Sequence, residues 1–265
     1  MAGTLMAETA DSGFHVPGIG EFFPPAIFFE GTPFEFNRIM LVRVVVTILL
    51  LLWLWLATRH AKLVPTRAQS VVELMLDFVR VQIAESVLGK VEGRRFLPML
   101  TTLFFLILAM NLAGVVPFLN IAGTSVVGLP VVLAIWVYIT YLVVGLKRHG
   151  VGYLKASLFP SGVPPVMYLL ITPIEFLQVF ILRPLTLALR LLANMMAGHL
   201  MLVLCFAATQ FLLFEGGGLI KLTGALTFVG GLGITLFEIF VGFLQAFIFT
   251  LLAAVYIQMS LEEEH

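Results

Sequence analysis

The chain has 265 residues, 60% of them apolar and only 11% charged, with 15 Lys and Arg balanced by 15 Asp and Glu. A mean hydropathy of +1.08 is far above that of a soluble domain of this length and points to an integral membrane protein. A formal charge of zero gives no footing for nucleic-acid binding, and the single cysteine, Cys205 in an apolar run, excludes an internal disulfide and a cysteine-based metal site.

Residues 1–37 carry Glu8, Asp11, Glu21, Glu30 and Glu35 among Gly, Pro and Phe. They lack the basic start and apolar core of a signal peptide and read as a short extracytoplasmic arm. A first membrane span is expected at about residues 39–58, close to the roughly 20 residues that one crossing needs. Arg43, near one end of it, is expected to snorkel. The cluster Arg59, His60, Lys62 and Arg67 follows at once, which by the positive-inside rule sets the N-terminus outside and this end in the cytoplasm. Over residues 67–90, Gln69, Glu73, Asp77 and Arg80 form one polar stripe at helical spacing, with Leu74, Phe78 and Val81 elsewhere on the wheel. Ser70 and Glu73 fit a capping box. The expectation is an amphipathic helix at the interface.

Between Arg95 and Lys147 there is no Asp, Glu, Lys or Arg. That stretch suits a helical hairpin over about 96–146, turning between Pro117 and Pro130 near Asn120 and returning to the basic loop of Lys147, Arg148, His149 and Lys155. Pro160, Gly162, Pro164, Pro165 and Pro173 then delay a regular helix until about residue 165. From there to Phe214 is about 50 residues, or some 75 Å of straight helix against a hydrocarbon core of roughly 30 Å, so the segment must tilt, kink at Pro173 or Pro184, or break. The glycines at 216–218 have no following Lys-Ser/Thr and read as a turn, not a phosphate loop. A last long helix is expected over about 222–260, and the Glu-Glu-Glu-His end lies inside. The fold class is therefore all-α and polytopic: about five membrane-crossing helices, one interfacial amphipathic helix and two long tilted C-terminal helices.

Functional interest centres on Arg183-Pro-Leu-Thr-Leu-Ala-Leu-Arg190-Leu-Leu-Ala-Asn194-Met-Met-Ala-Gly-His199. A charge at mid-bilayer costs about 2.5 to 17 kcal/mol depending on how it is measured, so such a residue lines a pathway or meets a partner. On a helix Arg183, Arg190 and Asn194 fall within about 60° of one another, whereas His199 lies about 180° from Arg190. Ala193, Ala197 and Gly198 let another backbone come close. In the last helix Glu238, Gln245, Phe249 and Tyr256 share one face, and Gly230, Gly231, Gly233 and Gly242 favour close packing.

This motif, followed by Leu244-Gln245-Ala-Phe-Ile-Phe-Thr-Leu251, resembles the subunit a family of F-type ATP synthases, closely over about residues 165–260 and in helix order from about residue 40. The resemblance implies a stator in the bacterial plasma membrane, against which a rotor c-ring turns as protons pass. Its other partners would be peripheral stalk b subunits and the lipid bilayer. It implies no enzyme activity of the chain alone, no direct nucleotide binding, and no cofactor or metal. Arg190 is assigned as the arginine that meets the rotor carboxylates. Asn194, His199, Glu238, Gln245 and Asn111 match positions of the proton pathway, with lesser roles for Arg183, Glu175, Thr186 and Tyr256. His199 and Glu238 stand exchanged relative to many bacterial relatives, as in mitochondrial-like members, and Gly114 stands where some relatives carry an acid.

The residue types suit that task. A carrier carboxyl can cross lipid only when neutral, and a fixed cation favours release of its proton. Arginine stays charged and cannot relay the proton itself, which blocks a leak between two half-channels. Histidine and a buried glutamate exchange protons near neutral pH, and Asn or Gln can hold water without charge. Two other readings stand beside this one. A proton-coupled secondary transporter would use Arg190 to bind an anionic substrate and Glu238 to couple to protons, but the internal repeats usual in such folds are absent from the sequence. An intramembrane enzyme would need paired acids, an HExxH or a serine–histidine constellation, none of which lies within the spans. Residue by residue, Arg190 could instead be a structural ion-pair partner of Glu175 or Glu238, and Asn194 and Gln245 could simply join helices.

Overall fold

The computed structural model describes residue 18 and residues 26–28, 36–59, 67–116, 123–150, 152–153, 158, 167–214 and 220–262. His60, Lys62, the turn at Asn120, Lys155, the prolines at 160–165, the glycines at 216–218, the final Glu-Glu-His and most of the N-terminal arm lie outside the described residues. Among the described residues five helices are long and apolar enough to cross a membrane. In the arm, strands β1 (Ala26–Phe28) and β2 (Phe36–Asn37) pair antiparallel, Ala26 opposite Asn37, a small ribbon that the sequence reading did not anticipate.

Helix α1 (Arg38–Arg59) turns most of its apolar surface outward, as a helix in lipid can without penalty. Its inner edge, Ile39, Val42 and Val46, is buried. Arg43 does not snorkel: its Nε and Nη2 donate to the carbonyls of Gly123 and Val126, at 2.8 and 3.1 Å. Those carbonyls lead into the helix that begins at Gly128, and a guanidinium that finds acceptors within the fold need not reach for water.

Helix α2 (Arg67–Phe78) runs through a π-helical turn, Val79–Glu85, into α3 (Ser86–Ala113), but the path is broken at Gly89, with φ 74° and ψ 175°. That region of backbone space is open essentially to glycine alone. Beyond the break the chain doubles back, so that Phe78 stacks on Phe104 of α3 at 5.9 Å between ring centroids and the backbone of Ala84 closes on Gly93. Residues 67–88 are thus packed into the bundle through Val72, Val79, Ile83 and Ala84, with Glu73 and Asp77 facing outward. The interfacial helix expected to reach residue 90 stops one residue short, at the break. Ser70 lies within the first turn of α2, which starts at Arg67, so it is not the cap of a capping box.

Helix α4 (Gly128–His149) ends in Lys147, Arg148 and His149, and Arg148 reaches back 3.6 Å to Glu92 near the start of α3. The C-terminal half is a pair of long helices. The first comprises α5 (Tyr168–Leu177), a π-helical turn at Gln178–Leu182, and α6 (Arg183–Phe214); the second is α7 (Ile220–Leu261). At 1.5 Å per residue the 42 residues of α7 extend about 63 Å, twice the hydrocarbon core. The core where α3, α4, α6 and α7 meet holds Leu103, Phe104, Val137, Leu191 and Phe249, with Ala246, Ala253 and Ala254 letting α7 approach.

The break at Gly89 gives a direct test. A Cβ there meets nothing within 4 Å, so the cost of Gly89→Ala comes from backbone conformation alone. It is expected to cost about 1 to 3 kcal/mol, read as a fall in the unfolding midpoint of the solubilised protein.

Candidate functional site

The start of α6 is fixed by a missing donor. Within the π-helical turn the Arg183 N–H bonds to the carbonyl of Gln178, five residues back. The next bond in that pattern would run from residue 184 to Val179, but Pro184 has no N–H. The orphaned Val179 carbonyl accepts instead from the Tyr141 hydroxyl of α4 at 2.9 Å, and both groups are buried. Tyr141 also meets the Tyr256 ring of α7 at 5.9 Å, and the Arg183 guanidinium lies 5.5 Å over that same ring. Arg183 joins the start of α6 to the end of α7 by a cation–π contact. Thr186 closes on its own helix, donating to Leu182 O at 2.7 Å.

Two turns past this anchor, Arg190 stands exposed on α6, and among the described residues it forms no ion pair. The pairing with Glu175 or Glu238 considered for it is thus not made. Glu175 is half-buried on α5. Around Arg190 the same outer surface carries Leu185, Leu189, Ala193, Ala197 and Met201, and α7 adds Leu236, Phe237 and Phe240 at 60 to 70% exposure. Gly230 and Gly233 also face open space, whereas Gly231 packs on Phe206 and Gly242 on Asn111. The expected close packing is therefore made by two of those four glycines. The others meet nothing within 4 Å among the described residues.

Where α6 meets α7 the structure is polar and enclosed. Gly198 leaves the space that Glu238 fills: a Cβ at residue 198 would coincide with the glutamate's Oε1. Glu238 is thereby seated on α6 beside buried His199, which brings the two halves of the couple to one level of the bundle. Gln245 is buried, two turns further along α7, and Asn194 lies four residues past Arg190. The Nε2 of Gln245 and the Nδ2 of Asn194 are both enclosed and have no hydrogen-bond partner among the described residues. Asn111 is engaged on both sides: its Nδ2 donates to Gly242 O at 3.1 Å, and its Oδ1 accepts from Thr124 at 2.7 Å. It ties α3, α7 and the loop before α4 together. Among the described residues no group of three His, Cys, Asp or Glu could hold a metal ion.

Tyr141 was missed by sequence reasoning. Its signal, a tyrosine in one apolar helix and a proline in another, is visible only once the two are paired in space.

Comparison with known proteins agrees with this architecture. Residues 40–258 match the family described as ATP synthase A chain. The protein of Rhodococcus erythropolis called ATP synthase subunit a is 46% identical over 265 residues, covering 99% of this chain and 96% of its own. Proteins of the same description from Pseudarthrobacter chlorophenolicus and Parafrankia sp. are 36% and 39% identical over 261 and 258 residues. They cover 98% and 96% of this chain, and 98% and 85% of their own length.

Tyr141→Phe removes the hydroxyl and leaves a buried carbonyl with no donor. The expected loss is about 1 to 3 kcal/mol of stability, measured by denaturant unfolding in micelles, with secondary structure retained.

Proposed function

Because the chain belongs to the ATP synthase A chain family, we propose that it carries protons through the bacterial plasma membrane as the stator against which a rotor c-ring turns. The family supports the proton-translocating role in the membrane sector, with no catalysis by this chain itself. The finer reading rests on one observation: a wide, exposed apolar face of α6 and α7 interrupted by Arg190, which forms no ion pair among the described residues. A cation in lipid without a carboxylate calls for one from outside, and a ring of apolar helices each bearing a carboxyl supplies both the apolar contact and the counter-charge.

On this reading each rotor carboxyl crosses lipid in its neutral form and gives up its proton as it approaches Arg190. The guanidinium then neutralises the carboxylate, and since it never deprotonates it keeps the two half-channels from short-circuiting. Rotation returns the carboxyl toward lipid only after it has taken a proton from the other half-channel. A membrane potential contributes about 2.3 kcal/mol per charge per 100 mV to this cycle. Glu238 and His199 accept and pass protons in the enclosed region where α6 meets α7. The enclosed amides of Asn194 and Gln245 support the same path, because a buried donor costs about 1 to 3 kcal/mol until it is paired, and water in a channel would pair it. Asn111, held at both ends, serves as a wall of that path.

The Arg148–Glu92 contact supports the proposed topology, since it puts the basic ends of α3 and α4 on one side of the bundle. That side is then cytoplasmic, with the N-terminus outside and the C-terminus inside. The peripheral stalk b subunits would complete the stator.

Two variants test the proposal through ATP-driven proton pumping in inverted vesicles at equal assembly. Arg190→Ala is expected to abolish pumping, and undiminished pumping would overturn the assignment. Gly198→Ala places a methyl group where the Glu238 carboxyl sits and is expected to lower pumping about tenfold or more, as displaced catalytic groups commonly do. Shortening the acid in Gly198→Ala/Glu238→Asp should restore part of that loss; a double variant no better than the single one would show that Glu238 does not act at residue 198.

A further inference from the structure

We propose that the groove between the start of α3 and the last turns of α4 and α7 binds one anionic phospholipid of the adjacent leaflet. The groove encloses about 670 Å³ and is lined at one end by Arg95, Lys147 and Arg148 and along its length by Trp136, Ile139 and Val143 of α4. Its two ends have different chemistry, and that difference fits the two parts of a lipid.

At the basic end Arg95, Lys147 and Arg148 line the groove, and the Glu92 carboxylate lies 3.6 Å from both arginines. At 3.6 Å the guanidinium N–H groups are beyond good hydrogen-bonding range of Glu92, so their donors remain available. The Arg95 and Arg148 side chains are 66% and 50% exposed, which leaves them open to a phosphate. Arginine binds phosphate through two parallel N–H donors, and Lys147 adds a point charge.

The apolar end sets the kind of phosphate. Trp136, Ile139 and Val143 recur at helical spacing on one stripe of α4 and are all exposed. From Trp136 to Arg148 the stripe is about 18 Å long at 1.5 Å per residue, close to the roughly 15 Å depth of one leaflet. A free anion would use the cations and leave the stripe bare. An acidic segment of a partner would have to lay its backbone at hydrocarbon depth, where unpaired peptide groups are costly. An acyl chain attached to a phosphate satisfies both ends, and basic pockets between helices at the membrane surface recognise such headgroups.

The test uses the chain in its native membrane complex, reconstituted in phosphatidylcholine nanodiscs with a trace of phosphatidylglycerol or phosphatidylcholine carrying a diazirine in the acyl chain. After irradiation, peptide mass spectrometry is expected to find the phosphatidylglycerol probe on the Trp136–Val143 segment several-fold more often than the phosphatidylcholine probe. Lys147→Gln, which touches neither ion pair, should lower that labelling roughly fivefold, the effect of one interfacial cation. Glu92→Gln removes the competing carboxylate and should raise it. Equal labelling by the two probes, or labelling indifferent to Lys147→Gln, would overturn the proposal. Labelling in the isolated full chain that vanishes in the complex would also overturn it, since the groove would then belong to a protein partner.

Discussion

Pro184 has no amide proton, and the C-terminal half is arranged around that missing donor. In water the orphaned carbonyl of Val179 would be a small matter; in a bilayer it must find a partner within the protein. A π-helical turn moves the gap onto Val179, and Tyr141 of α4 fills it. The same tyrosine leans on Tyr256, which in turn lies under Arg183. One local defect therefore binds three helices together two turns before Arg190. The extra residue of a π-helical turn rotates everything that follows relative to a regular helix, so this anchor also decides which face of α6 carries the arginine.

The same accounting separates two kinds of polar residue in the bundle. Arg43 and Asn111 have their polar groups committed to the carbonyls of Gly123, Val126 and Gly242 and to Thr124. Many of the threonines turn their hydroxyls back onto their own helices, as Thr47, Thr140, Thr186 and Thr250 do. These groups hold the structure and have little capacity left for anything else. Asn194 and Gln245 are different, because enclosed amide donors without acceptors represent free energy that water or a moving proton can recover. Glu238 belongs with them: its carboxyl reaches α6 only because residue 198 lacks a side chain.

The outer surface divides in a similar way. Helix α1 and the stripe of α4 are apolar without interruption along their middle, which suits contact with lipid. The face of α6 and α7 is equally apolar but is broken by Arg190. Acyl chains cannot compensate a guanidinium, so that face calls for a partner of a different kind.

The sequence by itself determined the membrane class, the all-α fold with five spanning helices, and the family. Composition, charge-free run lengths and the Arg183–His199 motif are local properties, and a bilayer translates them into structure with little ambiguity, because only satisfied helices can cross it. It also marked Pro184 as a place where the fourth span would have to yield, though not how. The tertiary structure decided what depends on which residues meet. Residues 67–88 pack on the bundle, because Gly89 lets the chain double back and Phe78 reach Phe104. Arg43, read as snorkelling, found a pair of carbonyls, and Arg183 an aromatic ring. Gly198 acquired its meaning from Glu238, forty residues away, and Tyr141 from a proline on another helix. Periodicity can say which face of a helix a side chain occupies. It cannot say what stands opposite, because packing between apolar helices is set by shape over the whole surface and not by any local signal.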